Sequence, residues 1–529
     1  MPDVGLLTPG ADLAPGSPAA VTDDVALLRA MLRVEAAWVH VLVRRGVAAD
    51  IQRSGSSIGV AHVGRAAPGS AAAGPTGTGS AVSGSAVSGS TVSGSTGALL
   101  TGDDEAIDGS GAVDPTETYP DDIVEIPDAH AHDIADIAAV VDGAVERLAG
   151  SDGEALALAT RLARESGAGG NPVIPLVGAL RAAVGPHIAP VVHAGLTSQD
   201  VLDTALVLML RDAAHAVVED LDQAAVAAAR LAAEHRSRPA LARTLAQAAV
   251  PTTLGARFAG WLQGILAARG FLSSVADALP LAYGGAAGEL SGVAALAGGA
   301  GSLSTAHQPA GDTNERAAGS AATPRGELAL IEAWGAELGL PVGPGPWHAT
   351  RTPVVRLGSA LAETCAALGK VANDVLQAVR PGVGELREPS GPGRGTSSAM
   401  AHKHNPVLSV LVRRSAIAAP HLAAQVLAAA GLAVDERSDG AWHAEWPALQ
   451  QLARHAVASA HVATELLDGL DVDADAVARN LHDGLPDAGS APDVAAAAAV
   501  VDRVLEQFAA QTGPARSGPA RSGPVVGRE

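Results

Sequence analysis

Aromatic side chains make up only 2% of this 529-residue chain, and cysteine occurs once, as Cys365. A lone cysteine excludes an intrachain disulfide and any zinc site built from several thiolates. Basic residues are scarce as well: 35 Lys and Arg stand against 56 Asp and Glu, a formal net charge of −21. That balance argues against nucleic-acid binding, which needs clustered cations, and against docking on anionic membranes. The opening Met-Pro-Asp-Val-Gly-Leu-Leu has no basic run followed by a long apolar one, so no secretory signal is expected. The stretch from Ala416 to Val434 is the longest uncharged apolar one, but Pro420, His421 and Gln425 interrupt it and alanine dominates it, poor material for a membrane span. The chain is expected to be soluble and cytoplasmic.

What is present leans towards helix. Hydrophobic residues are 48% of the chain, and much of that share is alanine, the best helix former. Leu206, Leu210, Ala213, Val217, Leu221, Ala224, Ala228 and Leu231 recur at spacings of three and four, one stripe on a helix of about thirty residues. Leu357, Leu361, Thr364, Leu368, Val371, Val375 and Val379 form a second stripe. A third helix is expected to start near Pro406 and a fourth to cover Leu449 to Leu470. No strand–helix alternation with a glycine-rich phosphate loop occurs, so the fold class is all-α, and helices this long pack as an extended bundle that tends to oligomerise. Residues 51–128 contrast with this pattern. They hold the repeat GSAVS-GSAVS-GSTVS over Gly79 to Ser93 and then an acidic, proline-containing flank, and such a sequence cannot bury enough side chain to offset its ordering entropy. A disordered insertion is expected there, with a shorter flexible one at 302–324 and a disordered tail at 513–529.

Four polar segments interrupt the alanine-rich sequence. In the first, His193-Ala-Gly-Leu-Thr-Ser-Gln-Asp200, Thr197 and Ser198 stand where a helix begins; they either cap it or face an anion with its free N–H groups. The second places Arg243, Thr244 and Gln247 just before Pro251, and an arginine in so apolar a stretch needs a partner or a ligand. The third, residues 393–406, combines glycines, the adjacent Ser397 and Ser398, Met400, Lys403 and Asn405, the makings of a mobile loop closing over a carboxylate. The fourth, Gly440 to Trp446, holds two of the six tryptophans around His443 and Glu445, read as a structural pair supporting the site. His130-Ala-His132-Asp133 has the spacing of a metal-binding HxH, but no strand context and no other ligand cluster supports it, and no metal is expected.

GLTSQD, ARTLAQAAVPTT and SSAMAHKHNP resemble the three signature regions of the fumarase/aspartase superfamily. GGNPVIPLVGALR, VVHAGLTSQDVLDTAL, RTLAQAAVPTT and DERSDGAWHAEWPAL, with GLLTPG and LLRAMLRVEAAW near the N-terminus, are similar to the bacterial 3-carboxy-cis,cis-muconate cycloisomerases. The resemblance implies a long central bundle (196–434) between smaller N-terminal (1–195) and C-terminal (435–512) helical domains. It implies a homotetramer whose sites draw on several subunits, with no cofactor. The implied reaction is closure of 3-carboxy-cis,cis-muconate, a tricarboxylate, to 4-carboxymuconolactone. For that chemistry it points to His193, Ser397 and Lys403 as catalytic. Thr197, Ser198, Gln199, Arg243, Thr244, Gln247, Arg351, Ser398, Met400 and Asn405 are then expected to bind substrate, with Arg437 as a further cation. Leu245 and Ala248 stand where adenylosuccinate lyases carry histidines, and Ala401 and His404 depart from the usual loop. The alternatives are a superfamily lyase cleaving a C–N or C–O bond in another dicarboxylate, or a helical scaffold without catalysis.

Overall fold

The structure, a computed structural model, describes residues 17–54, 134–298, 326–391, 393–396, 400, 403–488 and 492–512. The insertion expected at 51–128 lies outside these residues from 55 onward, as do His130, His132, residues 302–324 and the tail. Residues 51–54, expected in the insertion, are instead the end of a helix.

Among the described residues the chain is built almost entirely from helices. After a short 3-10 turn at Pro18–Thr22 come α1 (Asp24–Arg44), α2 (Val47–Ser54), α3 (Ile134–Ala149), α4 (Asp152–Gly169) and α5 (Val173–Val184). The long helix α6 (Ser198–Glu234) leads into a hairpin of β1 (Pro239–Thr244) and β2 (Gln247–Thr253) and then α7 (Leu254–Asp277). Next are α8 (Ser291–Ala297), α9 (Gly326–Leu338), α10 (Thr352–Ala378), β3 (Leu386–Arg387), α11 (Val407–Gly431), α12 (Gly440–Asp468) and β4 (Asp471–Val472). The chain closes with α13 (Ala474–Gly484) and α14 (Ala495–Thr512).

Local chemistry sets these boundaries. Asp23 accepts the Ala26 N–H at 2.7 Å and starts α1, and Ser151 with Glu154 forms a capping box on α4. Glu388 reaches across to accept the N–H groups of Leu408 and Ser409 at the start of α11. Every residue of the 206–231 stripe is buried, and their helix extends eight residues further towards the N-terminus than the stripe itself. The fourth helix begins at Gly440 rather than Leu449, and Pro447, its eighth residue, lies inside it and leaves the His443 carbonyl without its usual intrahelical donor.

The bundle has a definite polarity. α6 and α12 run parallel: Trp442 Nε1 donates to Asp203 at one end (2.9 Å) and Arg230 donates to the Asp468 carbonyl at the other (2.7 Å). α10 runs with them, since Arg351 at its start meets both Asp203 and Glu445. α7 and α11 run the opposite way, as the pairs Arg269–Asp222 and Gln425–Ala444 record. Gly369 lets α10 and α11 approach closely, for a Cβ there would collide with Ala416. By length and composition α11 could cross a membrane, but Leu408, Val412, Ala419 and Val426 form a buried face on it, within the bundle. Cys365 is buried on α10, and burial pushes its thiol up to about 12, which leaves it unreactive.

The hairpin is the main departure from the helical expectation. Arg243 pairs across it with Ala248, and Leu245 and Ala246 turn the chain at φ of 49° and 64°. Two non-glycine residues in the left-handed region are costly, and the Leu245 side chain is 97% exposed.

Candidate active site

His193 sits in the turn that leads from α5 into α6, and α1 holds that turn in place. Trp38 Nε1 donates to the Ala194 carbonyl at 2.8 Å, and Arg181 from α5 donates to the Val192 carbonyl at 3.0 Å. One turn before Trp38 on the same face, Glu35 Oε1 lies 2.6 Å from His193 Nδ1. His193 itself has φ 62°, a strained value for a residue with a side chain. Gly195 and Gly292 pack backbone to backbone beside it, and a Cβ on either would come within about 3 Å of the other's main chain. Burial pushes the His193 pKa down, but the charge and hydrogen bond of Glu35, with Asp200 adding to them, outweigh that and raise it.

Thr197 then starts α6, its N–H donating to Asp200 Oδ2 at 2.8 Å. Helix geometry leaves the next N–H groups, those of Ser198 and Gln199, without an intrahelical acceptor. Three parallel helices, α6, α10 and α12, begin at this end, so their dipoles point their positive ends towards it and favour an anion.

Not all the expected site residues face that end in the same way. Gln199 is buried and donates to Asp203 Oδ2 and the His348 carbonyl, at 3.1 and 2.9 Å. Arg351 is buried between Asp203 and Glu445, donating to the two at 2.6 and 2.7 Å, and lies over the Trp347 ring. Burial works against its charge, but the two carboxylates more than offset this. The guanidinium of Arg351 is thus taken up by protein partners in the core, whereas Gln199 is held through its amide nitrogen and its buried Oε1 has no hydrogen-bond partner. Arg437 donates to the carbonyls of Gly285 and Ala286. His443 and Glu445 both serve structure but not as a pair: His443 bonds to the Gly170 carbonyl, while Glu445 belongs to Arg351.

The second and third signature segments lie elsewhere. Arg243 donates to Glu385 Oε1 at 2.9 Å, and Arg257 and Asn480 bond to the same carboxylate. Thr244 and Gln247 are exposed on the hairpin, which follows the far end of α6. In the loop before α11, Asn405 closes the turn with two bonds to the Gly395 carbonyl, and Lys403 and Met400 are exposed. Arg394 of that loop pairs with Glu465 near the end of α12. Ser397 and Ser398 lie outside the described residues. Within one chain, then, His193 is separated from both other segments by the length of α6, whose 37 residues span roughly 55 Å.

Glu35 and His348 were not legible as site residues. Glu35 carries a faint signal, a carboxylate inside the apolar stripe Leu28, Met31, Leu32, Trp38, Val39 and Leu42. His348 Nε2 lies 2.9 Å from Asp200 Oδ1 but off the hydrogen-bonding direction, and both side chains are buried.

A bundle of long parallel and antiparallel helices, with signature segments split between its two ends, defines the class of the superfamily lyases. A family profile described as lyase matches residues 129–298. Over 323 residues, 60% of this chain and 63% of the other, it is 47% identical to a nitrosuccinate lyase of Streptomyces davaonensis. It is 39% identical to a 3-carboxy-cis,cis-muconate cycloisomerase of Bradyrhizobium diazoefficiens over 60% of this chain and 65% of the other. The solved structure of the 3-carboxy-cis,cis-muconate lactonizing enzyme from Pseudomonas putida matches with a TM-score of 0.56 and 30% identity, over 71% of this chain and 79% of that one. The chain belongs to the lyase family of the fumarase/aspartase superfamily. It spans a little under two thirds of the length of the first two relatives.

Proposed function

We propose that the chain catalyses β-elimination on a small dicarboxylate of the nitrosuccinate type, releasing nitrite and fumarate. A base removes the proton from the carbon next to one carboxylate; the electron pair delocalises into that carboxylate, then forms the double bond as the C–N bond breaks and nitrite leaves. The observation that carries this reading is His193, oriented by Glu35 beside the N-terminus of α6, where an imidazolium and helix N–H groups would receive the charge that builds on the carboxylate. Thr197 and Ser198 bind that carboxylate, and Lys403, with Ser397 as the base, approaches it from the loop before α11. The identity of 47% to a relative named for nitrosuccinate supports the choice of leaving group.

Because His193 and the other two segments lie at opposite ends of one chain, a working site draws Thr244, Gln247, Asn405 and Lys403 from other copies. Val410, Ile417 and Leu427, exposed on α11, supply an apolar face for that assembly, a homotetramer.

Lactonisation of 3-carboxy-cis,cis-muconate is the second reading, favoured by the cycloisomerase relatives and the GAWHAEW passage. It uses the same carboxylate-stabilised carbanion, with a proton delivered to carbon. The test is to offer both substrates to the purified oligomer, following nitrite by colour and the muconate diene by absorbance. Nitrite release that falls at least about 100-fold in His193→Ala and in Lys403→Ala is the expected result. Loss of diene without nitrite would replace it with the cycloisomerase reading, and no turnover of either, from a folded tetramer, would favour a scaffold.

A further inference from the structure

Five carboxylates are buried among the described residues: Glu35, Asp200, Asp203, Glu385 and Glu445. Arg351 satisfies Asp203 and Glu445, two arginines and Asn480 satisfy Glu385, and the N–H groups of Thr197 and Gly285 satisfy Asp200. Glu35 differs. Its Oε1 meets only His193, and its Oε2 has no hydrogen-bond partner. A fully buried carboxylate with one imidazole for company is an expensive arrangement to keep for packing alone.

The turn around His193 is fixed without Glu35. Trp38 and Arg181 pin the carbonyls on either side of it, and Gly195 docks on Gly292. The contact with Glu35 therefore does not hold the backbone; it acts on the ring. A carboxylate can only accept, so Nδ1 carries the hydrogen and Nε2 is left as the atom that can exchange a proton with anything outside.

We infer that Glu35 is a positioning residue, which fixes the tautomer and orientation of His193 so that Nε2 is its working nitrogen. This rests on His193 being the proton-bearing group of the reaction proposed above. The charged groups that face the ring are Glu35 from α1, Asp200 from α6 and Arg181 from α5, and Glu35 is the one in contact. Removing its charge lowers the pH at which the ring gives up its proton.

The full-length protein with isotope-labelled histidine, read by nitrogen NMR across pH, tests this without any substrate. In the wild type, neutral His193 is expected to carry its proton on Nδ1 and to titrate above the ordinary value of about 6.5. Glu35→Gln keeps the shape and the acceptor; it should move the midpoint down and shift the pH profile of kcat with it, with KM changing less than about twofold. Glu35→Asp, a shorter carboxylate, should restore part of the midpoint. A wild-type proton on Nε2 overturns the inference without any variant, as does a folded Glu35→Gln protein with an unmoved midpoint and profile. A midpoint that moves as expected in a protein inert towards nitrosuccinate supports the role of Glu35 and counts against the reaction alone.

Discussion

Two sets of buried carboxylates lie at the same end of the bundle and are built on opposite terms. Around Arg351, every charge is answered: Asp203 and Glu445 share the guanidinium, Trp442 and Gln199 add donors to Asp203, and the Trp347 ring covers the cation. Around Glu35, one contact to an imidazole is the whole arrangement, beside a residue with strained backbone. Complete satisfaction marks a part whose task is to stay still. The incomplete one fits the positioning role inferred for Glu35, since a second donor on Glu35 would stabilise the carboxylate and weaken its hold on the ring.

The sharpest way to break the comparison is Arg351→Ala. It leaves two carboxylates facing each other in the core with no cation, and the expected loss is about 3–5 kcal/mol of unfolding free energy, read by urea denaturation. Burial and the charge of Asp203 already raise the Glu445 pKa, against the pull of Arg351, so the variant should recover part of its stability as the pH falls and Glu445 takes up a proton. A loss under about 1 kcal/mol would mean that the triad is not the strut described above.

How much of this could be read from the sequence depends on range. The stripe from Leu206 to Leu231 is a local pattern, and its burial follows from spacing alone. The segments around His193, Arg243 and Lys403 were legible as polar interruptions. Their placement at two ends of the molecule was not, because it depends on helix length and on which helices run parallel. Arg351 looked like a free cation for the same reason: its partners, Asp203 and Glu445, are 148 and 94 residues away in the chain. The hairpin was missed because Leu245 and Ala246 lack the Asn or Gly that normally announces such a turn. Glu35 was hidden by its position in an apolar helix face.

A smaller effect is expected at Arg243, whose partner Glu385 keeps Arg257 and Asn480 when Arg243 is removed. Arg243→Ala should cost about 1 kcal/mol, a third of the Arg351 effect or less. Burial pushes the Glu385 pKa up, but its hydrogen bonds to Arg243, Asn480 and Arg257 outweigh that and hold it low. The sign follows: this stabilisation is present above the unfolded value near 4.5 and disappears as the pH falls through the lower folded value. The variant should therefore lose less stability on acidification than the wild type, which unfolding curves at several acid pH values would reveal.

The smallest stability effect belongs to Glu35→Gln, and its smallness is what separates the two clusters. The substitution takes a charge out of the core instead of orphaning one, and the amide oxygen still accepts the Nδ1 hydrogen, so the cost near neutrality should stay within about 1 kcal/mol. Its signature lies in the pH dependence. Because Glu35 raises the His193 pKa, the wild type holds the full benefit of the pair below the unfolded histidine value of about 6.5 and loses it as the pH rises through the higher folded value. In Glu35→Gln that decline should flatten, so the two unfolding profiles converge on the alkaline side. If the variant instead loses as much stability as Arg351→Ala at every pH, Glu35 is a strut like the others, and the contrast between the clusters fails.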